Sequence, residues 1–343
     1  MKIGITYDLK ADLPAVPDLP DDFQEEFDSP TTIEAIARVL RDLAHDVCKL
    51  GDGRELLQQL LDEPPDFVFN IAEGQGIARS REARVPAVLE MLGIPYTGSD
   101  PLTLAVTLDK DCAKRLVASA GVAVPRSCLI DPDEDAVPAL AKRLSSIGRR
   151  FPVIVKPAWE GSSKGIRGKC LVDRPEDLPA VVESLRQDHR QPVLVEEFIA
   201  GDEVTVGMVG NDPPQIVGIM RIVPRKDPER FIYSLEVKRD WESRVSYECP
   251  AQLPSRLTRA VEEAALTVYR ALGCRDVSRI DFRFRDGVPY FLEVNPLPGL
   301  NPESSDLVIL AQKSGWTYER LIESILEAAI QREQGRPLVT RFV

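Results

Sequence analysis

Near its C-terminal end the chain gathers two carboxylates and an amide within one short stretch, Ser278-Arg-Ile-Asp-Phe-Arg-Phe-Arg-Asp-Gly-Val-Pro-Tyr-Phe-Leu-Glu-Val-Asn-Pro-Leu-Pro-Gly299. The stretch reads as two strands around an Asp286-Gly287 turn, with Asp281 on the first strand and Glu293 and Asn295 on the second. Side chains two apart on a strand share a face, so Glu293 and Asn295 point together. A bulged three-residue loop, with one extra residue at Gly287, sets Asp281 opposite Glu293; a plain two-residue turn sends it to the other face. The three groups form an all-oxygen set of the kind Mg²⁺ takes, completed by water and substrate phosphates. An amphipathic hairpin with solvated acids is the other reading of these residues.

Four further stretches carry residues suited to the same chemistry. Lys156 ends the apolar run Val153-Ile-Val155, where partial burial of an ammonium calls for an anion such as phosphate, unless the side chain reaches solvent past the strand end. Next comes Trp159-Glu-Gly-Ser-Ser-Lys-Gly-Ile-Arg-Gly168, whose glycines allow successive N–H groups to cradle phosphate. It is no P-loop, because six residues separate Gly161 from Gly168 and Cys170 stands where a Ser or Thr is needed; a flexible turn fits it equally well. Val193-Leu-Val-Glu-Glu-Phe-Ile-Ala-Gly-Asp-Glu203 sends a strand into acids that can meet an adenine edge and ribose hydroxyls, or that are simply a solvated strand end. In Leu297-Pro-Gly-Leu-Asn-Pro-Glu-Ser-Ser305, Ser304 and Ser305 are placed either to bind a substrate carboxylate at a helix start or to act as an ordinary N-cap.

Composition narrows the chemistry. The 343 residues suffice for two or three domains, and 43% apolar with 29% charged residues is ordinary for a globular chain. Against 55 acids there are 43 bases, a net charge of −12, so no basic surplus exists for general nucleic-acid binding. No apolar run approaches the ~20 residues of a membrane span, and Met1-Lys-Ile-Gly-Ile-Thr-Tyr-Asp8 turns polar too soon for a signal peptide. The six cysteines (48, 112, 128, 170, 249, 274) form no Cys-x-x-Cys pair and read as free, mostly buried thiols of a reducing cytosol. Only two histidines occur, His45 and His189, neither with a His or Cys neighbour, which disfavours a His-based zinc site or a Ser-His-Asp triad. Catalysis is left to carboxylates, Lys, Arg and a metal.

These residues need elements to hold them. Strands at 2–7, near Val47 and at Phe67–Ile71 alternate with helices at Thr31–Leu43, Leu56–Leu61 and Val85–Leu92, which predicts a parallel, doubly wound sheet. Ile94–Gly98 reads as a short strand, and no G-x-G-x-x-G follows the first strand, disfavouring a dinucleotide site. Beyond Leu102 come one or two helices to Ala120, strands at Phe151–Pro157, Lys169–Val172 and Val193–Phe198, and a helix at Glu176–Gln187. The last part has strands at Glu203–Val209 and Gln215–Ile222, a helix at Ser255–Leu272, the hairpin, and a helix from Tyr318 to about Gln331.

The order of these motifs resembles the ATP-grasp superfamily and, within it, the D-alanine–D-alanine ligases. The resemblance rests on Tyr96-Thr-Gly-Ser99, Asp109-Lys-Asp-Cys-Ala-Lys114, Gly121-Val-Ala-Val-Pro125, Pro152-Val-Ile-Val-Lys-Pro157, Gly161-Ser-Ser-Lys-Gly-Ile166, Val195-Glu-Glu-Phe-Ile199 with Glu203, Arg279-Ile-Asp281 and Glu293-Val-Asn-Pro-Leu-Pro-Gly299. It covers residues 94 to about 330 and is only an outline before that. It implies an α/β and α+β ATP-grasp architecture: an N-terminal parallel α/β domain at 1–101, a central subdomain at 102–200 and a C-terminal subdomain at 201–343, with ATP between two lobes. By similarity Lys114, Lys156 and Ser163 meet the phosphates, Glu196, Glu197 and Ile199 border the adenine, and Glu203 meets the ribose. Asp281, Glu293 and Asn295 hold two Mg²⁺, for which Mn²⁺ can substitute. Arg279 and the Gly299 backbone stabilise the oxyanion, with Lys238 and Ser162 from mobile loops as further catalytic groups. The reaction implied activates a carboxylate as an acyl phosphate, which an amine then attacks through a tetrahedral oxyanion. A lid at 160–168 keeps water off the acyl phosphate. The resemblance also implies a cytoplasmic enzyme with small amino-acid substrates, no membrane or nucleic-acid partner, and a homodimer.

Four departures concern the first substrate. Ala72-Glu73-Gly74 replaces the family's His-Gly pair, Arg239 replaces the Tyr after the loop lysine, Pro296 replaces the Thr after the metal Asn, and Asp22-Phe-Gln-Glu-Glu-Phe27 replaces the glycine-rich segment with its amine-binding Glu. Glu25 and Glu73 thus become candidate substrate residues, with Ser304 and Ser305. The expected function is a carboxylate–amine ligase with a rewritten first-substrate pocket. The alternatives are a true D-alanine–D-alanine ligase of cell-wall synthesis and a non-catalytic ATP-binding regulator, which retention of the metal, Lys156 and Arg279 residues disfavours. A biotin-carboxylase-like role is disfavoured because no Met-Lys-Met segment occurs.

Overall fold

A computed structural model of the chain describes residues 1–10, 20–145, 147–148, 150–226 and 228–335. β1 (Lys2–Thr6) leads to α1 (Pro30–Asp42), where Ser29 accepts from the Thr32 N–H and Pro30 occupies the first turn, both standard helix-start devices. The helical spacing of Ile33, Ile36, Ala37 and Leu40 turns one face inward, and all four are buried. β2 (Asp46–Gly51), α2 (Gly53–Asp62), β3 (Phe67–Asn70) and α3 (Arg84–Leu92) complete a parallel sheet in the order β2-β1-β3. The expected strand at 94–98 is reduced to a single parallel bridge between Val68 and Tyr96.

The stretch 102–120 forms two helices, α4 (Pro101–Leu108) and α5 (Lys110–Ser119), because Asp109 leaves the helical backbone and caps the second through the Cys112 N–H. β4 (Ser127–Ile130), α6 (Ala136–Arg143), β5 (Val153–Pro157), β6 (Leu171–Val172), α7 (Leu178–His189) and β7 (Val193–Glu197) follow. They make an antiparallel sheet in the order β4-β7-β5-β6. β6 is shorter than expected, since Gly168–Cys170 is a 3-10 turn.

The last sheet is antiparallel, β10-β9-β8-β11-β12. Its elements are β8 (Glu203–Val209), β9 (Gln215–Pro224), short helices α8 (Leu235–Arg239) and α9 (Trp241–Arg244), β10 (Val245–Glu248), α10 (Ser255–Leu272), β11 (Val277–Arg285) and β12 (Val288–Asn295). α11 (Asp306–Lys313) and α12 (Tyr318–Gln334) close the described chain. Two cores tie distant segments together. Ala113 and Val117 of α5 lie in the core of the five-stranded sheet with Phe282 and Phe291. Ile3, Ile36 and Phe69 share a core with Met220, Leu310 and Ile322. Among the described residues no helix is long and apolar enough to cross a membrane.

Candidate functional site

The hairpin's face is decided in mid-strand, not at its tip. Asp286 and Gly287, with φ of 54° and 75°, form a plain two-residue turn of the kind that matches strand twist. Pairing runs Arg285↔Val288 to Phe282↔Phe291, then jumps to Asp281↔Glu293 and Arg279↔Asn295. The expected extra residue at Gly287 is therefore a bulge at Leu292, and it turns Asp281, Glu293, Asn295 and Arg279 onto one face. The bulge also frees a carbonyl: Lys114 Nζ donates to Leu292 O at 2.9 Å.

Charges crowd this face. Arg279 donates to Asp281 from Nε at 3.2 Å and from Nη2 at 2.9 Å, and Thr205 Oγ1 donates to Asp281 at 2.7 Å. Lys110 Nζ lies 3.2 Å from Glu293. Burial raises the Asp281 carboxyl above its usual range, with Arg279 opposing and Glu293 adding to the rise. Burial acts the same way on Glu293, but Lys110, Lys238 and Arg279 outweigh it and hold that carboxyl low. Asn295 Nδ2 is buried with no partner; turning the amide over presents its oxygen to the same space. No cluster of three His, Cys, Asp or Glu groups suited to a metal occurs among the described residues. Two carboxylates and one amide nevertheless fit a hard cation that draws its remaining ligands from water and phosphate.

One side of this face opens on a cleft of about 620 Å³ between the two antiparallel sheets. Ile154, Phe198, Ile199, Ile232 and Leu292 give it apolar walls, and Lys156, Lys238, Asp281 and Glu293 line its charged end. Lys156 does not wait for phosphate to supply its counter-charge: Glu196 lies 2.9 Å away and shares its carboxylate with Lys114 at 2.8 Å. Burial would raise Glu196, yet the two lysines hold it low, and burial brings Lys114 down to about 8. Glu197 accepts from the Arg126 N–H and from Arg285. Glu203 pairs with Arg283 at 2.9 Å, and Arg283 also donates to Ile199 O. Lys238 sits 5.1 Å from the Tyr233 ring centre. Ser162 and Ser163 take φ of 48° and 60°, an uncommon pair of left-handed residues, and Ser163 Oγ donates to Tyr233 O at 2.9 Å.

The other side opens on a cavity with an empty volume of about 600 Å³, lined by Glu26, Glu73, Glu82, Glu160, Asn295 and Gly299 among others. Glu25 does not line it; it pairs with Arg239 at 2.8 Å beside a neighbouring pocket that Ser304 and Ser305 also line, while Glu26 reaches inside. Arg81, 1% exposed, lies 2.7 Å from Glu26 and 3.1 Å from Glu160; Lys164 lies 3.1 and 2.6 Å from the same two acids. Burial would raise Glu26, but Arg81 and Lys164 bring it to about 2. Ser304 Oγ donates to Asn301 Oδ1, and Ser305 Oγ accepts from the Asn301 N–H rather than capping α11. Gly299 is pressed against that hydroxyl, where a Cβ would stand 2.8 Å away. Arg279 Nη1 reaches Asp306 at 3.4 Å, which also accepts from Tyr233.

Sequence reasoning did not single out Glu26, Arg81, Glu82, Glu160, Lys164, Arg283 or Asp306. Glu160 and Lys164 stand inside the glycine-rich stretch, so doubt about a phosphate-only role for that stretch was the available signal. Arg81 carries no local signal, since its partners are more than fifty positions away.

Known proteins are similar along nearly the whole chain. Residues 116–327 match the family described as D-ala D-ala ligase C-terminus. A D-alanine–D-alanine ligase of Aquifex aeolicus is 33% identical over 297 residues, covering 86% of this chain and 93% of that protein. An uncharacterized protein of Sinorhizobium fredii is 33% identical over 317 residues, covering 89% of each. The crystal structure of a D-alanine–D-alanine ligase from Bacillus anthracis complexed with ATP superposes with a TM-score of 0.73 over 98% of this chain and all of that one, at 24% identity, a likeness of fold.

Proposed function

The chain belongs to the D-alanine–D-alanine ligase family and is an ATP-dependent ligase of that type; we propose that it joins a carboxylate donor other than D-alanine to an amine, through an acyl phosphate. The observation that carries this reading is the single face holding Arg279, Asp281, Glu293 and Asn295, which borders both the apolar-walled cleft and the acidic cavity.

ATP lies in the cleft, its base against Ile154, Phe198 and Ile199 and its ribose toward Glu203, with Glu197 at the base's edge. Lys114, Lys156 and Lys238 meet the phosphates, Ser163 closes over them from the lid, and Asp281, Glu293 and Asn295 would hold two Mg²⁺. Cations held there would supply neutralisation of phosphate charge during transfer of the γ-phosphoryl group to the donor carboxylate. The lysines offset the charge left on the departing diphosphate. Arg279, held flat by Asp281 and Asp306, directs donors at the oxyanion that forms when the amine attacks, alongside the Gly299 N–H. The loop carrying Ser162 and Ser163 is tied to Tyr233 and keeps water from the activated acyl group. Ser304 and Ser305 receive the carboxylate of the incoming amino acid, and Glu73 faces the donor. The unpaired thiols suit a reducing cytoplasm.

Phosphate release with Mg-ATP across D- and L-amino acids, alone and in pairs, tests the reading. Release with several acids but little with D-alanine is expected. Release with D-alanine alone, coupled to formation of its dipeptide, overturns the altered-donor reading.

A further inference from the structure

Two carboxylates of the acidic cavity have no cation of their own. Glu26 and Glu160 are matched by Arg81 and Lys164 in a closed quartet, and Gln191 donates to Glu160 at 2.7 Å. Lys110 is directed at Glu293 and at the Glu160 carbonyl. Glu73 and Glu82 make no hydrogen bond or ion pair among the described residues. Glu82 is only 7% exposed and faces the cavity. Burial pushes Glu82 up to about 8, Arg81 opposing, and pushes Glu73 well above the carboxylate range with Glu82 and Glu26 adding to it.

The backbone holds the two together. Gly74 has a φ of +78°, and a Cβ there would stand 2.5 Å from the Arg81 carbonyl, so only glycine lets this segment press on the turn that carries Glu82. Its N–H is fixed by Asp8 at 2.8 Å. Isolated buried carboxylates are strongly disfavoured unless something pairs with them. Arg81 attracts both and Lys110 attracts Glu82, but neither cation makes a hydrogen bond or ion pair with them, and the open side of the pair is the cavity bordered by Asn295 and Gly299, where the donor's carboxylate would be activated.

We propose that Glu73 and Glu82 form a subsite for the cationic groups of the carboxylate donor, which is a basic amino acid carrying an α-ammonium and a side-chain ammonium or guanidinium. Burial disfavours the charged form of both carboxyls, and two approaching cationic groups reverse that, favouring ionisation and gaining a charge-assisted hydrogen bond each in a water-poor cavity. The inference rests on the ligase reading above and names the donor class for it.

Hydroxylamine in place of the second amino acid isolates donor selection, because it attacks the acyl phosphate to give a hydroxamate and free phosphate whatever the natural acceptor. Wild-type protein with Mg-ATP is assayed with both enantiomers of lysine, ornithine and arginine, and with norleucine, citrulline and alanine as neutral donors. The expected result is a kcat/KM for a basic donor at least tenfold above its neutral analogue, lysine over norleucine or arginine over citrulline. E73Q and E82Q lower that ratio toward one, and E73D restores part of it, which a merely structural role would not do. Hydroxamate from neutral donors only, or variants that lower basic and neutral donors equally, overturns the inference while leaving the ligase reading in place. Hydroxamate from no amino acid at all overturns both. The wild-type comparison stands by itself if a variant fails to fold.

Discussion

Replacing Glu196 by glutamine tests whether one carboxylate holds both Lys114 and Lys156. Its oxygens lie 2.8 Å from Lys114 and 2.9 Å from Lys156, with the three side chains 1%, 3% and 7% exposed. Glutamine keeps the shape and one acceptor oxygen but removes the negative charge, leaving two buried ammonium groups facing each other. Removing one partner of a buried pair costs about 3–5 kcal/mol, a fall of roughly 6–12 °C in Tm. The loss has a pH signature. Burial places the Lys114 pKa at about 8 in the folded protein, below the value of an unfolded lysine. The unfolded chain thus binds the extra proton above pH 8, and stability rises with pH there. Without Glu196 that pKa falls further and the rise starts at lower pH, so the gap between E196Q and the parent narrows by about 1 kcal/mol from pH 7 to pH 9. Calorimetric melts at both pH values, with and without Mg-ATP, read this directly, and ATP is expected to raise the Tm of E196Q more than that of the parent. A Tm within 2 °C of the parent, or a gap that widens at pH 9, refutes the reasoning.

Three further outcomes are expected. D281N and E293Q each lower kcat for phosphate release by about a thousandfold or more, the scale of several kcal/mol of metal assistance, in variants that still fold cooperatively although each loses an ion pair; near-normal rates in either refute the metal assignment, and Mg²⁺ titrations give a second readout. R239A breaks the contacts of Arg239 with Asp21 and Glu25, contacts worth about 1 kcal/mol at such exposure. Those contacts tie α8 to the segment carrying Glu25, so R239A is expected to raise the phosphate released per peptide bond formed severalfold as water enters, and unchanged coupling counts against a closing role for them. D28N follows from a carboxyl raised to about 7, first by burial and then by Asp8. The folded protein holds a proton there between about pH 4 and 7 that the unfolded chain lacks, so the stability tied to it is full below pH 4 and lost as pH rises through 7. Denaturant melts should show D28N more stable than the parent at pH 8, with the advantage shrinking toward pH 5.

The residues that line the cleft between the antiparallel sheets could be picked out because they sit in short motifs at strand ends, although the face of Asp281 needed the bulge at Leu292 to settle it. Helix starts were placed closely from apolar spacing, at Thr31 for a helix that begins at Pro30 and at Ser255 for α10. The acidic cavity could not be picked out in this way. Glu26, Arg81, Glu160 and Lys164 meet across the first and second sheets, and no window of sequence contains that meeting. Glu25 and Glu26 are neighbours, and choosing between them needed the direction of a loop rather than a periodicity. β4, α6 and β10 were missed, and α11 was anticipated only as a helix start at Ser304-Ser305: all are short, and α11, buried along most of its length, lacks a polar face to betray its period.

The extra residue at Leu292 gives the hairpin a parity. Between the tip and the face shared by Asp281, Glu293 and Asn295, residues can be gained or lost on one strand only in twos, because a single deletion rotates Glu293 and Asn295 by half a turn toward the core and Val294 away from it. Removing Leu292 alone would break up that face and bury a carboxylate, so working length variants of this ribbon should differ by even numbers.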